Sequence, residues 1–300
     1  MSMDICKEVS ALCPVEATTL GYYPNLGANA FFCACFGLFF LVAFVIGVWK
    51  KTWTFTFAVT GGCALECLGY GGRIMLHQNP WSQEGFKLQI VTIILGPTFL
   101  CASIYLTLKH VVLAVGRDVS RIRPRLYTWI FIPCDICCLV LQAIGGGVAA
   151  SAEKDPDTVA IGNRIIMAGI VLQVIVLFVF GAAALDYYWR ASNYHRHSHT
   201  SNRERAFWAD RKFHTFAVAV FIAYIVIFFR CVYRIAEMAG GWGNHIMRHE
   251  SSFIVMESVM VLIGAGLLAC VPPGIMFPQM CKERRGSDKE EMDLHAMENI

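Results

Sequence analysis

Apolar residues run almost without interruption through seven stretches of the chain, each long enough for a helix to cross a hydrocarbon core about 30 Å thick, which takes roughly 20 residues. The stretches are Ala28–Val48, Trp53–Met75, Leu88–His110, Leu126–Ala150, Ile165–Leu185, Phe213–Ile235 and Phe253–Pro273. The first and fifth contain no charged residue, and the fourth carries one, Asp135. The second and sixth carry two each, so they are assigned on length and flanks. The pattern predicts an all-α integral membrane bundle of seven transmembrane helices. It fills one membrane domain, residues 22–275, after a short N-terminal segment, 1–21. The charged stretch 276–300 reads as a disordered tail. Between spans, 151–163 reads as an acidic turn and 190–212 as the longest internal loop.

Lys and Arg in the short loops set the orientation. The segments after the first, third, fifth and seventh spans hold sixteen, from Lys50 and Lys51 to Arg285 and Lys289, against five on the other side: Lys7, Lys87, Lys154, Arg164 and Arg248. The N-terminus is therefore expected outside and the C-terminus in the cytosol. Trp and Tyr near the span ends (Tyr22, Tyr23, Trp49, Trp53, Trp81, Tyr127, Trp129, Tyr187, Tyr188, Trp189, Trp208 and Trp242) read as interfacial anchors.

Composition agrees with a membrane protein. Of 300 residues 56% are hydrophobic and 16% charged, with mean hydropathy +0.53, where a soluble domain carries about 25% charged residues. The net charge of +3 comes from scattered residues, so there is no basic face for nucleic acid. Most of the 13 Cys lie in apolar runs and read as small hydrophobes. Cys6 and Cys13 precede the first span and can pair if that end faces an oxidising compartment. The N-terminus has no basic region and clean apolar core of a cleavable signal peptide. His195, His197 and His199 alternate, but read as flexible surface histidines rather than a metal site. There is no nucleotide-binding glycine motif, HExxH or GxSxG, and the last span has no Lys for a retinal Schiff base. Neither an enzyme, a cofactor nor a metal is expected.

The chemistry lies in charges inside the spans. The stretch "ALECLGYGGRIMLH", Ala64–His77, places Glu66 and Arg73 in a membrane helix. Asp135, Arg230, Arg234 and Glu257 add to them, with Glu237 at a boundary and Gln89, Gln142 and Gln173 adding amides. A charge at the bilayer centre costs roughly 2.5–3.5 kcal/mol on the insertion scale, so these groups must face one another, water or a ligand. Glu66 and Arg73 share a helix face but sit about 10 Å apart along the axis, too far for a direct bridge. Arg230, Arg234 and Glu237 share another face. The topology gathers these charges between midplane and outer leaflet. It predicts a polar cavity lined by the second, sixth and seventh spans, within reach of Asp135 and Gln142. Two readings stand: interhelical glue, or a cavity that handles a ligand. Pro97 interrupts the third span, as a static kink or a hinge. Gly145–Gly147 allows a helix or a lipid to approach closely.

An ordered series of motifs resembles the fungal RTA-like seven-span membrane proteins, also called lipid-translocating exporters. It runs from "YYPNLGANAFF" through "ECLGYGGR", with Glu66, Tyr70 and Arg73, to "LQIVTIILGPTFLCASIYLTL", with Gln89, Pro97 and Tyr105. "CDICCLVLQAIGGG" follows, with Asp135 and Gln142, then "GIVLQ" with Gln173, "RCVYRIAE" with Arg230, Arg234 and Glu237, and "HES" with His249 and Glu250. Where the family has an aspartate early in the seventh span, this chain has Glu257. The resemblance implies a fungal membrane protein of lipid traffic or resistance to amphiphiles, with sphingoid bases, sterol-like toxins and porphyrin among the compounds associated with members. Its expected partners are membrane lipids or amphiphilic small molecules, with a cytosolic regulatory partner as a further option and no oligomeric state implied. The plasma membrane is the expected location, an internal membrane the alternative. The leading expectation is a translocator of lipids or amphiphiles. A seven-helix receptor or sensor of a lipid-like ligand is the alternative, and an accessory protein acting indirectly on lipid asymmetry comes third.

Overall fold

The computed structural model describes residues 6, 8–115, 124–151, 155–197, 211–241 and 244–273. Seven long helices account for most of them: α1 Leu26–Lys50, α2 Trp53–Gln78, α3 Gln83–Val115, α4 Pro124–Ser151, α5 Pro156–His197, α6 Arg211–Ala239 and α7 Glu250–Cys270. The tail 276–300 and the loop histidine His199 lie outside the described residues.

The element ends follow local chemistry. Asn25 caps α1, its Oδ1 accepting from the Ala28 N–H at 3.0 Å. Lys51 ends α1 in the left-handed region, φ 57°, and two residues later α2 begins. α7 is continuous but widens to a π-turn at Ile254–Val259, which holds Glu257 and Ser258 in the interior. Such bulges often mark functional sites.

Six of these helices are long and apolar enough to cross a membrane. α2 is long enough but more polar, diluted by Glu66, Arg73, threonines and glycines. Packing compensates: α2 lies between α1 and α3, with half of its residues buried. α3 is the central helix, buried over 67% of its apolar stretch against 22% for α1 and 28% for α4. α4 and α5 form a close pair, and α7 packs on α6 and α1. At Gly145 an added Cβ would meet the Gly162 carbonyl at 2.7 Å, so α4 and α5 touch backbone to backbone there. Gly146 and Gly147 have open space on that side instead. Outward faces carry exposed Phe31, Leu38, Phe44, Ile136, Val140, Ile175 and Phe178, an apolar surface that suits lipid. The chain is a multi-pass integral membrane protein.

Three expectations need correction. α5 spans 42 residues, twice the predicted Ile165–Leu185. It absorbs most of the expected turn 151–163 and the start of the expected loop 190–212. The reason is a start signal in "DPDT": Asp155 accepts from the Asp157 N–H at 3.2 Å and the Thr158 hydroxyl at 2.6 Å, with Pro156 at the first helical position. Those bonds, Thr158's first, hold the Asp155 carboxyl below its usual range. Second, Trp81, Tyr127 and Tyr187 are buried among protein side chains and are not interfacial anchors. Trp208 and Trp242 lie outside the described residues. Third, α7 ends at Cys270, ahead of Pro272 and Pro273.

The N-terminal segment closes one end of the bundle. A Cys6–Cys13 disulfide ties it into a loop, and the Trp81 indole N–H donates to the Cys13 carbonyl at 3.3 Å. Further along, His77 Nδ1 donates to the Pro24 carbonyl at 2.8 Å and the Asn25 N–H donates to Glu250 Oε1 at 2.6 Å. The segment is thus fastened to the end of α2, to the α2–α3 turn and to the start of α7. This end is called the capped end below.

Candidate functional site

α3 serves as a ruler for the polar interior. From the capped end it meets polar groups at Gln89, Ile93, Gly96, Thr98 and Tyr105, a run of about 24 Å at 1.5 Å per residue.

The first layer is built on Arg73, which is 0% exposed. Its Nε donates to Asn29 Oδ1 at 2.9 Å and its Nη2 to the Tyr22 hydroxyl at 3.1 Å. Glu250 Oε1 lies 3.6 Å from Nη2, and the guanidinium stacks 4.0 Å above the Phe253 ring, a cation–π contact. Nη1 has no hydrogen-bond partner. Arg73 thus joins α1, α2, α7 and the N-terminal segment.

The same layer contains the Arg234–Glu237 pair, Nη1 to Oε2 at 2.7 Å, one turn apart on α6. Arg73, Gln89, Arg234 and Glu237 line one pocket together with Leu20, Tyr22, Ile93 and Phe253. Its volume is about 20 Å³, enough for about one water molecule. Arg234 Nε and Gln89 Oε1 are buried without partners. The pocket is small, two-signed and incompletely satisfied.

The second layer lies deeper. Arg230 pairs with Glu257, its Nε donating to Oε1 at 2.9 Å and its Nη2 also reaching that oxygen. Nη2 donates in addition to the Ile93 carbonyl at 2.8 Å, which fastens α6 and α7 to α3. Glu66 faces this layer, 0% exposed, in electrostatic reach of Glu257, Arg230 and Arg234. Neither of its oxygens has a hydrogen-bond partner. It fits because residue 96 is glycine: a Cβ there would fall on the carboxylate. One turn along α2, Tyr70 is fully buried, stacked on Phe36 at 5.6 Å, and its hydroxyl has no partner.

The predicted residues therefore divide. Arg73, Arg234 and Glu237 share the pocket, and Glu66, Tyr70, Arg230 and Glu257 lie beneath it. Asp135 and Gln142 do not reach it. Asp135 accepts from the Tyr105 hydroxyl at 2.8 Å, farther from the capped end. Gln142 donates to Gln173 at 3.1 Å, and Gln173 to Thr98 at 3.2 Å, in a chain joining α4, α5 and α3. The physical reason is that the inner face of α4 meets α3 and α5, not α2 or α7. The pocket's third wall is α3, which carries Gln89, not α7 alone, and no pairing for Tyr22, Asn29, Ile93 or Glu250 was read from the sequence. Polar residues at a span entrance, as in "YYPNLGAN", were the available signal for Tyr22 and Asn29. A backbone carbonyl such as that of Ile93 leaves no signal. Among the described residues no three His, Cys, Asp or Glu side chains gather as a metal site.

The pocket offers charged groups of both signs around a space of about one water molecule. Comparisons with known proteins bear on this. The chain is 29% identical to the sphingoid long-chain base transporter RSB1 of Saccharomyces cerevisiae, over 86% of this chain and 74% of that protein. It is 28% identical to protoporphyrin uptake protein 1 of the same yeast, over 67% of this chain and 63% of that protein. Protein RTM1, also from that yeast, is 26% identical over 68% of this chain and 62% of the relative. No solved structure matches. The family described as RTA1 like protein matches residues 59–280, which include α3 to α7 and every charged residue of both layers but not Tyr22 or Asn29, and the chain belongs to that family.

Proposed function

We propose that the protein translocates amphiphiles with a cationic headgroup, of the sphingoid-base type, across the membrane. The observation that carries this reading is the buried pocket bearing both signs of charge, with an incompletely satisfied carboxylate layer directly beneath it. Glue alone would pair its members, whereas Glu66, Glu257 Oε2, Arg73 Nη1 and Arg234 Nε are left without hydrogen-bond partners. The name of the RSB1 relative supports the substrate class. The loop charges support an outward-facing capped end, which suits a disulfide-closed segment in an oxidising compartment. In that orientation the ammonium passes the outer end of its path under the N-terminal segment, where it exchanges for Arg234 on Glu237, while the tail remains in lipid. Resistance to such amphiphiles follows if the movement is outward across the plasma membrane.

The test is reconstitution in liposomes with a fluorescent sphingoid-base analogue. The expected result is protein-dependent movement between leaflets that drops at least tenfold in Glu237→Gln. Saturable binding without movement would overturn the reading in favour of a lipid sensor.

A further inference from the structure

Glu66 is the one buried carboxylate of the two layers that binds nothing, and structural glue does not account for it. Its neighbours are engaged: Arg230 by Glu257 and Ile93, Arg234 by Glu237. A glutamine, or a leucine in that space, would pack there without the cost of a charge at bilayer depth. The space that Glu66 fills exists because residue 96 is glycine, whose missing Cβ would fall on the carboxylate. The titratable and charged groups facing it are Cys63, Cys67 and Tyr70 on its own helix, Arg230 and Arg234 on α6, and Glu257 on α7. On α3 it packs against Gly96, and Cys33 on α1 is engaged with Cys67 at 3.5 Å. No donor near Glu66 is committed to it, so the carboxyl has two ways of being stable: with a proton of its own, or with a cation brought to it.

We propose that Glu66 is a proton-exchange site, which carries a proton in the empty protein and gives it up when an amphiphile's cationic headgroup takes its place. This deepens the translocator reading and rests on it. The balance is simple. The carboxyl O–H bond breaks, the proton leaves to water on one side, and one monovalent headgroup pairs with the carboxylate. On the other side the headgroup leaves and a proton from water restores the O–H bond. One proton moves against one monocation, so no net charge crosses.

The experiment uses purified full-length protein in liposomes, a pH dye in the lumen and a long-chain trimethylammonium amphiphile, which cannot cross by shedding a proton. The wild type is expected to move protons against the amphiphile. One unit of pH difference should hold about a tenfold amphiphile gradient, and an imposed membrane potential should leave that gradient unchanged. Glu66→Gln should abolish the proton counterflow, and Glu66→Asp, which keeps an exchangeable carboxyl, should retain it at an altered rate. Amphiphile movement by the wild type that ignores the pH difference would overturn the proposal and leave the translocator reading standing. So would a gradient set by membrane potential, or full proton coupling in Glu66→Gln. No movement of any amphiphile would overturn both. Counterflow kept in Glu66→Asp and lost in Glu66→Gln, at equal protein levels in the liposomes, assigns the exchange to Glu66; loss in both overturns the assignment.

Discussion

Gly71 and Gly72 are adjacent on α2 and meet opposite environments, so substituting each by alanine gives an internally controlled test of the packing. At Gly72 an added Cβ would meet the Gln89 nitrogen and the Gly85 carbonyl oxygen, both at 2.9 Å. Both atoms are backbone, so relief requires α2 and α3 to move apart. At Gly71 the added Cβ meets nothing within 4 Å. Each substitution gains about 0.8–1 kcal/mol of helix propensity, and that gain cancels in the comparison. What remains is the overpacking penalty at Gly72, about 1–3 kcal/mol. At about 2–4 °C per kcal/mol, Gly72→Ala should melt about 2–12 °C below Gly71→Ala. Gly71→Ala itself should melt at or above the wild type. Thermal unfolding in detergent, followed by reaction of the buried cysteines with a fluorogenic maleimide, reads the difference. Equal melting temperatures for the two variants would refute the close α2–α3 contact on which the floor of the pocket depends.

The buried Arg230–Glu257 pair should show strong coupling. Glu257→Leu alone strands a guanidinium and should cost about 3–5 kcal/mol, whereas adding Arg230→Met should recover part of the loss; additive losses in the same unfolding assay would contradict the pairing. Opening the N-terminal loop by Cys13→Ser should remove about 2–3 kcal/mol of local stabilisation and expose Trp81 to water. Its emission, isolated by difference against Trp81→Phe, should shift to the red, and an unchanged spectrum would show that the disulfide does not hold the segment on the α2–α3 turn.

The amount of this arrangement that the sequence carries differs from one feature to the next. Helix existence was legible because each span must be apolar over a fixed length, and the seven-residue spacing of Glu66 and Arg73 correctly excluded a bridge between them. Arg73 bonds Asn29 and Tyr22, and Glu66 bonds neither. Periodicity gives the face of a helix and not the neighbour that face meets. Asp135 and Gln142 repeat the spacing of Glu66 and Arg73, yet α4 turns them to Tyr105 and Gln173. Arg230 finds Glu257 only 27 residues on, but it also finds a carbonyl 137 residues earlier, which no side-chain pattern encodes. Trp81 shows the limit of composition: an aromatic at a span end suggests the headgroup region, but here it packs on the Cys6–Cys13 loop. The length of α5 was within reach, because "DPDT" is a helix-start signal that hydropathy alone overlooks.

That length has a consequence for the surrounding bilayer. Forty-two residues make a rod about 63 Å long, beyond the roughly 40–45 Å of a bilayer with its headgroups. It is held to α4 by backbone contact near its start, where Gly162 meets Gly145. The contact continues along the rod at Gly169, where an added Cβ would meet the Cys138 carbonyl at 3.0 Å, and Tyr187 and Ala191 towards the other end are still buried. Lipid at this flank therefore meets a long helix that packing holds in place, so a mismatch in thickness is taken up by the lipid or by tilt of the whole bundle.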